Sequence, residues 1–178
     1  MLKIDLRLAA LALAGMLAAI PMAQAQSAPP TQDEIKYDFP GPESVWRVLG
    51  IKEPNQLMLV RAASPASDGL PRVQMLFVYW PATNGFDRID NYYSVDCKAR
   101  KIRDDGGTVW AKGKYQGDSP SETNSALADA KPDSVHEGVI RFACDDPKKF
   151  GELRKRDAAI ARVVDWAKER QAGGDAPK

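Results

Sequence analysis

One histidine and two cysteines in 178 residues leave little material for the commonest site chemistries. His136 is the sole imidazole, and a nucleophilic serine or cysteine needs a base that further groups hold in place. Ser134 is close by in sequence, but no nucleophile elbow surrounds it, and His136 reads as a solvated loop residue. Transition-metal sites want three or four nitrogen or sulfur ligands, which this composition does not offer. The aspartates Asp87, Asp90 and Asp96, and the pairs Asp104–Asp105 and Asp145–Asp146, lack the alternating spacing and distal Glu of a calcium loop. Turn formation and helix capping account for the two pairs. Neither a glycine-rich phosphate cradle nor a Cys-x-x-Cys pair is present. The expectation is a protein that is not an enzyme and uses no metal or cofactor. The alternative, a small periplasmic hydrolase or an enzyme inhibitor, would have to work through His136 or an aspartate pair.

Charge of one sign is also missing. Lys and Arg number 25 against 24 Asp and Glu. Long apolar runs are scarce: the one that stands out covers residues 8–20, preceded by Lys3 and Arg7. At ~1.5 Å per residue it spans about 20 Å, short of the ~30 Å hydrocarbon core of a bilayer. Pro21 ends the run, and Ala23-Gln24-Ala25 places small side chains where a signal peptidase needs them. Residues 1–25 therefore read as a cleavable signal peptide, cut between Ala25 and Gln26. The leader takes Lys3, Arg7 and Asp5 with it and leaves 23 residues of each sign. A neutral chain exerts no general attraction on nucleic acid. No cysteine follows the cut, so no lipid anchor is expected, and no membrane span remains after processing. The location expected is periplasmic or secreted.

In an oxidising compartment two cysteines normally pair, so Cys97 and Cys144 are expected to form a disulfide. Residues 26–42, rich in Pro, Gln, Ser and charge, read as a flexible lead. Residues 43–172 then form one domain, and 173–178 a disordered tail. Strand-like segments lie at 44–49 and 56–62, with a hairpin turn at Glu53-Pro54-Asn55, and at 73–80, where Met75, Phe77 and Tyr79 oppose Leu76, Val78 and Trp80. A strand apolar on both sides is central and covered twice, by a helix on one face and a second layer or subunit on the other. After a turn at 81–87, a strand over 89–102 and a turn at Asp104-Asp105-Gly106-Gly107 lead into a returning strand at 108–115. Ser119-Pro120-Ser121-Glu122 has the form of a helix start, with a short helix to Ala130. A last strand covers 138–144, so that both cysteines lie on apolar strand faces. Asp145-Asp146-Pro147 caps a long helix to about Gln171, with Leu153, Ile160, Val163, Val164 and Ala167 as its apolar stripe. Arg156 and Asp157 interrupt that stripe, so the second half of the helix docks more firmly. The fold class is α+β: a twisted antiparallel sheet of about six strands, with a C-terminal helix packed on one face and one disulfide.

What surface chemistry there is clusters around basic and aromatic residues. Lys98, Arg100, Lys101 and Arg103 follow Cys97, and Lys112 and Lys114 lie across the expected turn. Residues 147–170 hold eight Lys and Arg against four Asp and Glu. Trp110 and Trp166 accompany these charges, Trp166 off the apolar stripe. Trp110, Lys112, Lys114 and Trp166 are therefore the candidate contact surface. A homodimer through the Leu76, Val78 and Trp80 face is a further possibility.

Three blocks carry a family resemblance: the apolar strand 75–80, Tyr92-Tyr93-Ser94-Val95-Asp96-Cys97-Lys98-Ala99-Arg100, and Val139-Ile140-Arg141-Phe142-Ala143-Cys144. On these the chain resembles the surface-adhesin E family of small exported bacterial proteins. The resemblance implies a twisted antiparallel sheet with a C-terminal helix, dimerisation, and binding of host matrix or serum proteins. The chain departs from the lipoprotein form of such adhesins by lacking a cysteine at the cleavage site, which brings an envelope protein in as an equally good partner.

Overall fold

Two-residue reversals dictate antiparallel neighbours, because parallel strands need a long crossover. Asn84–Gly85 (φ 52° and 85°) and Lys112–Gly113 (φ 49° and 70°) are such reversals. The structure is a computed structural model that describes residues 28–32, 43–52, 55–120 and 126–173. Strands β1 (Val45–Lys52), β2 (Gln56–Ala63), β3 (Arg72–Thr83), β4 (Phe86–Asp96), β5 (Lys101–Ala111) and β6 (Lys114–Ser119) form a continuous antiparallel meander. β7 (Ala128–Asp129) pairs with Lys101 and Ile102 of β5. Helix α1 (Val135–Cys144) and a single 3-10 turn (Pro147–Lys149) follow, and β8 (Gly151–Arg154) then adds to the free edge of β1. Helix α2 (Arg156–Ala172) closes the fold, with Gly173 as its C-cap. The result is an antiparallel sheet with helices, as the α+β reading expects, with eight strands among the described residues where about six were expected.

Alternation along β2 and β3 sorts the core into two layers. On one face Trp46, Leu57, Leu59, Leu76, Val78 and Trp80 meet Ala159, Ile160, Val163, Val164, Trp166 and Ala167 of α2. On the other, Met58, Val60, Val73, Met75, Tyr93, Val95 and Ile102 meet Val139, Ile140 and Phe142 of α1. The two-faced β3 is thus covered by two helices of its own chain. The face expected to dimerise through Leu76, Val78 and Trp80 is occupied by α2, which closes that route. The helices are also offset: α2 packs on β8, β1, β2 and β3, whereas α1 packs on β3, β4 and β5. Burial in α2 starts at Ala159, in keeping with the interruption at Arg156 and Asp157.

Several expected elements fall differently. The strand expected over 89–102 breaks at 97–100, where Asp96 Oδ1 accepts the N–H groups of Lys98 and Ala99, each at 2.9 Å, and Arg100 takes φ 57°. Asp104 to Gly107 does not reverse the chain but lies inside β5 as a bulge opposite Asn91 and Tyr93. Gly106 supplies the positive φ (78°), and Asp104 Oδ1 accepts the Gly106 N–H at 2.7 Å. The tolerance for unusual backbone is used to bend a strand. Ala128–Asp129 is a strand, not the end of a helix, because it pairs the edge of β5 that β6 leaves open.

Residues 138–144 are helical because Ser134 and Glu137 start a helix there: Ser134 Oγ accepts the Glu137 N–H at 3.2 Å, and Glu137 Oε2 accepts the Asp133 N–H at 2.6 Å. The apolar residues Val139, Ile140 and Phe142 read as alternation but serve a helical face. His136 accordingly sits in the first turn of α1, not in a loop. Cys97 lies in the turn after β4, and Cys144 ends α1; neither is on a strand face. They are bonded, with Cα atoms 5.3 Å apart. The long helix expected from Asp145 is divided: Asp146 caps only the 3-10 turn through the Lys148 N–H (2.9 Å), and β8 intervenes. β1 would otherwise leave a row of backbone groups unpaired. The expected signal peptide and its cut, most of the 26–42 lead, Glu53 and Pro54 of the first turn, Ser121 and Glu122 of the expected helix start, and residues 174–178 lie outside the described residues.

Candidate functional site

The offset of α2 leaves the β4–β6 half of its sheet face to polar side chains. Cross-strand pairing places Arg61 beside Gln74, Gln74 beside Tyr92, Arg72 beside Ser94, and Arg88 beside Trp110, all with the parity of the α2 face. Three arginine–aromatic stacks result. The Arg61 guanidinium lies 5.5 Å from the centroid of Trp46, Arg72 4.3 Å from Tyr92, and Arg88 4.6 Å from Trp110. Each stack joins adjacent strands, so together they cross the sheet from β1 to β5.

Hydrogen bonds and ion pairs fix these groups. Arg61 Nε donates to Gln74 Oε1 at 2.7 Å, and Gln74 Nε2 donates to Asp90 Oδ1 at 3.4 Å. Asp105 is a second hub: it accepts from Ser94 Oγ at 2.6 Å and Arg103 Nε at 2.8 Å, and Arg72 Nε lies 3.2 Å away. Arg103 also holds Asp68 of the β2–β3 loop at 2.7 Å. Burial lowers the Arg61 pKa, with Tyr92 and Asp90 opposing the shift. The Arg103 hydrogen bond, helped by the Leu70 N–H, holds the Asp68 carboxyl below the usual carboxylate range. Arg72, Arg88 and Arg103 each have a carboxylate within 4 Å; Gln74, Arg88, Asp90 and Ser94 are buried, while Arg72, Tyr92 and Trp110 keep part of their surface exposed. Such a surface suits contact with a polar protein surface and gives no strong pull on an anion or cation.

Of the four residues expected to make contact, the structure brings three to one end of the sheet. Trp110 is half-buried in the stack with Arg88, its Nε1 donating to Thr108 Oγ1 at 2.8 Å, and it meets Tyr115 edge-on at 5.9 Å. Lys112 and Lys114 flank the β5–β6 reversal and are exposed. Trp166 belongs elsewhere: it is 1% exposed inside the α2 core. Its position off the narrow stripe marks a wide buried face, since Ala159, Ile160, Val163, Val164 and Ala167 surround it in sequence and are buried too. His136 packs edge-on against Tyr93, with ring centroids 5.4 Å apart. Among the described residues no group of three or more His, Cys, Asp and Glu converges as a metal site, and no helix is long and apolar enough to cross a membrane. Arg61, Arg72, Arg88 and Tyr92 were not among the expected contacts. Their signal is a polar residue set within an apolar strand, such as Gln74 between Val73 and Met75, repeated at paired positions of the neighbouring strands.

Comparison of the chain with protein-family models, with curated proteins and with solved structures finds no match.

Proposed function

We propose that the chain is an exported, non-catalytic binding module that engages a partner protein through the half of this sheet face running from Arg72 of β3 to β6. The observation that carries this reading is the pair of arginine–aromatic stacks on β3 to β5, Arg72–Tyr92 and Arg88–Trp110, of which Arg72, Tyr92 and Trp110 keep part of their surface exposed, whereas Arg88 and the Trp46 of the third stack are buried. Arg, Tyr and Trp dominate the energetics of protein interfaces, because each contributes a large contact area together with a directed polar group. Held in advance by Asp105 and by its stack on Tyr92, Arg72 loses little freedom when a partner docks. The resemblance to the surface-adhesin E family supports the same role. Two of its blocks fall on β3 and on β4 with its turn, while the third forms α1 and not a strand. The partner is an envelope protein or a host matrix or serum protein.

Surface plasmon resonance with immobilised folded protein tests the reading against solubilised envelope, matrix and serum proteins. Saturable binding is expected with one of these. Arg72→Ala and Tyr92→Ala should each weaken it by about tenfold or more, whereas Lys148→Ala, on the exposed 3-10 turn, should not. Binding that persists in both half-face variants, at unchanged thermal stability, would refute this surface as the interface.

A further inference from the structure

Beyond the half-face, the tips of the β3–β4 and β5–β6 hairpins enclose a cleft of about 330 Å³ with residues 28–30. That volume lies at the lower end of small-molecule sites and corresponds to roughly eleven water molecules at about 30 Å³ each. Its lining divides by chemistry. Trp80 and Ala111 on the sheet, and Ala28 and Pro30 on the opposite wall, are apolar, while Lys112 and Lys114 are the basic residues of the lining. Among the described residues no carboxylate pairs with either ammonium. The acid in the cleft, Asp87, is engaged by backbone: its Oδ2 accepts the Lys112 N–H at 2.7 Å and ties the two hairpins together.

The Lys112 backbone adds a second observation. Lys112 is the first residue of a two-residue reversal and has φ 49°, followed by Gly113 at 70°. That geometry favours Asn, Asp or Gly at the first position, and a lysine adopts it under strain. An asparagine would relieve the strain and keep the N–H bond to Asp87. What it would not keep is the amine at the cleft.

We propose that this cleft binds a small amphipathic anion: a carboxylate or similar acid group at Lys112 and Lys114, on a compact apolar body that lies against Trp80. The proposal stands independently of the partner-protein reading, since it uses different residues and a different kind of ligand. Ala28 and Pro30 form one wall, so the occupied cleft also holds this part of the 26–42 segment against the sheet.

Sodium octanoate is a suitable probe, with octan-1-ol and octylammonium as the neutral and cationic arms. Titration followed by amide and indole NMR shifts should show saturable octanoate binding, with the largest shifts at the Trp80 indole and residues 111–114. Octanol and octylammonium should bind about tenfold more weakly or worse. The double variant Lys112→Asn, Lys114→Gln should unfold at no lower temperature and bind octanoate about tenfold more weakly. If the double variant does not fold, Lys114→Gln alone, on an exposed edge strand, decides the matter by the same loss. Octanol binding as tightly as octanoate, shifts centred elsewhere, absence of saturable shifts, or full affinity in the variant would each overturn the proposal.

Discussion

Removing the Cys97–Cys144 bond by the double replacement Cys97→Ala, Cys144→Ala gives the sharpest test of how this fold is held. The bond connects the β4–β5 turn to the last residue of α1 across 47 positions of sequence, and that loop contains β5, β6, β7 and the helix itself. For a loop of that length the loop-closure estimate is about 4 kcal/mol at 25 °C, acting through the restricted unfolded chain. In a protein of this size each kcal/mol moves the midpoint of thermal unfolding by roughly 2–4 °C, so the variant should melt about 8–16 °C lower. Both cysteines also border the α1 layer of the core, and removing each sulfur adds a small packing loss. Urea unfolding separates the contributions. Release of the loop lets the denatured chain expand, so the m-value should rise as stability falls, whereas a pure packing loss leaves m unchanged. A loss below about 1 kcal/mol with unchanged m would refute the reasoning. It would mean that Val139, Ile140 and Phe142 alone hold α1 and that the bond adds almost no restraint to the unfolded chain.

Ser134→Ala should lower stability by about 1 kcal/mol, because the Glu137 N–H then loses its acceptor; chemical denaturation reads the change, and Ser134→Asp should restore it. Gly107→Ala should be far more damaging, about 3 kcal/mol or more, since the added Cβ would overlap the Asp90 carbonyl oxygen, a backbone atom of the paired strand. Thermal unfolding of that variant at the wild-type midpoint would show the bulge to be dispensable. Asp68 offers a pH test. Its folded pKa lies below the unfolded one, so its contribution is present above about pH 4 and disappears as pH falls through the folded value. The stability difference between wild type and Asp68→Asn should therefore be constant from pH 7 to about 5 and shrink at lower pH; a difference that grows on acidification would contradict the Arg103 pairing.

The sequence by itself determined the class of fold, the central position of β3 and the identity of the bonded cysteines. Each of these rests on local or compositional physics: alternation within 73–80 that is apolar on both sides, and two thiols with no other partner to choose. Where several short elements compete for the same apolar residues, local pattern was not enough. Val139-Ile140-Arg141-Phe142 alternates like a strand, and only the Ser134–Glu137 cap, read together with the sheet surface it covers, makes it a helix. Asp104 to Gly107 has the composition of a reversal, but pairing with Asn91 and Tyr93 on one side and Ser119 on the other turns it into a bulge.

Tertiary structure alone decided the candidate sites. Arg61, Gln74 and Tyr92 are 31 positions apart from first to last, and they become neighbours only through the register of β2, β3 and β4. Trp166 sits among charged residues in sequence, yet lies buried because α2 presents a face wide enough to enclose it. Lys112 and Lys114 acquire a cleft because two hairpin tips and residues 28–30 converge, an arrangement that no segment of the chain encodes locally. Strand propensity and capping act over a few residues, whereas face assignment depends on register and on which helix covers which strands. That is why the architecture was readable from the chain and the candidate surfaces were not.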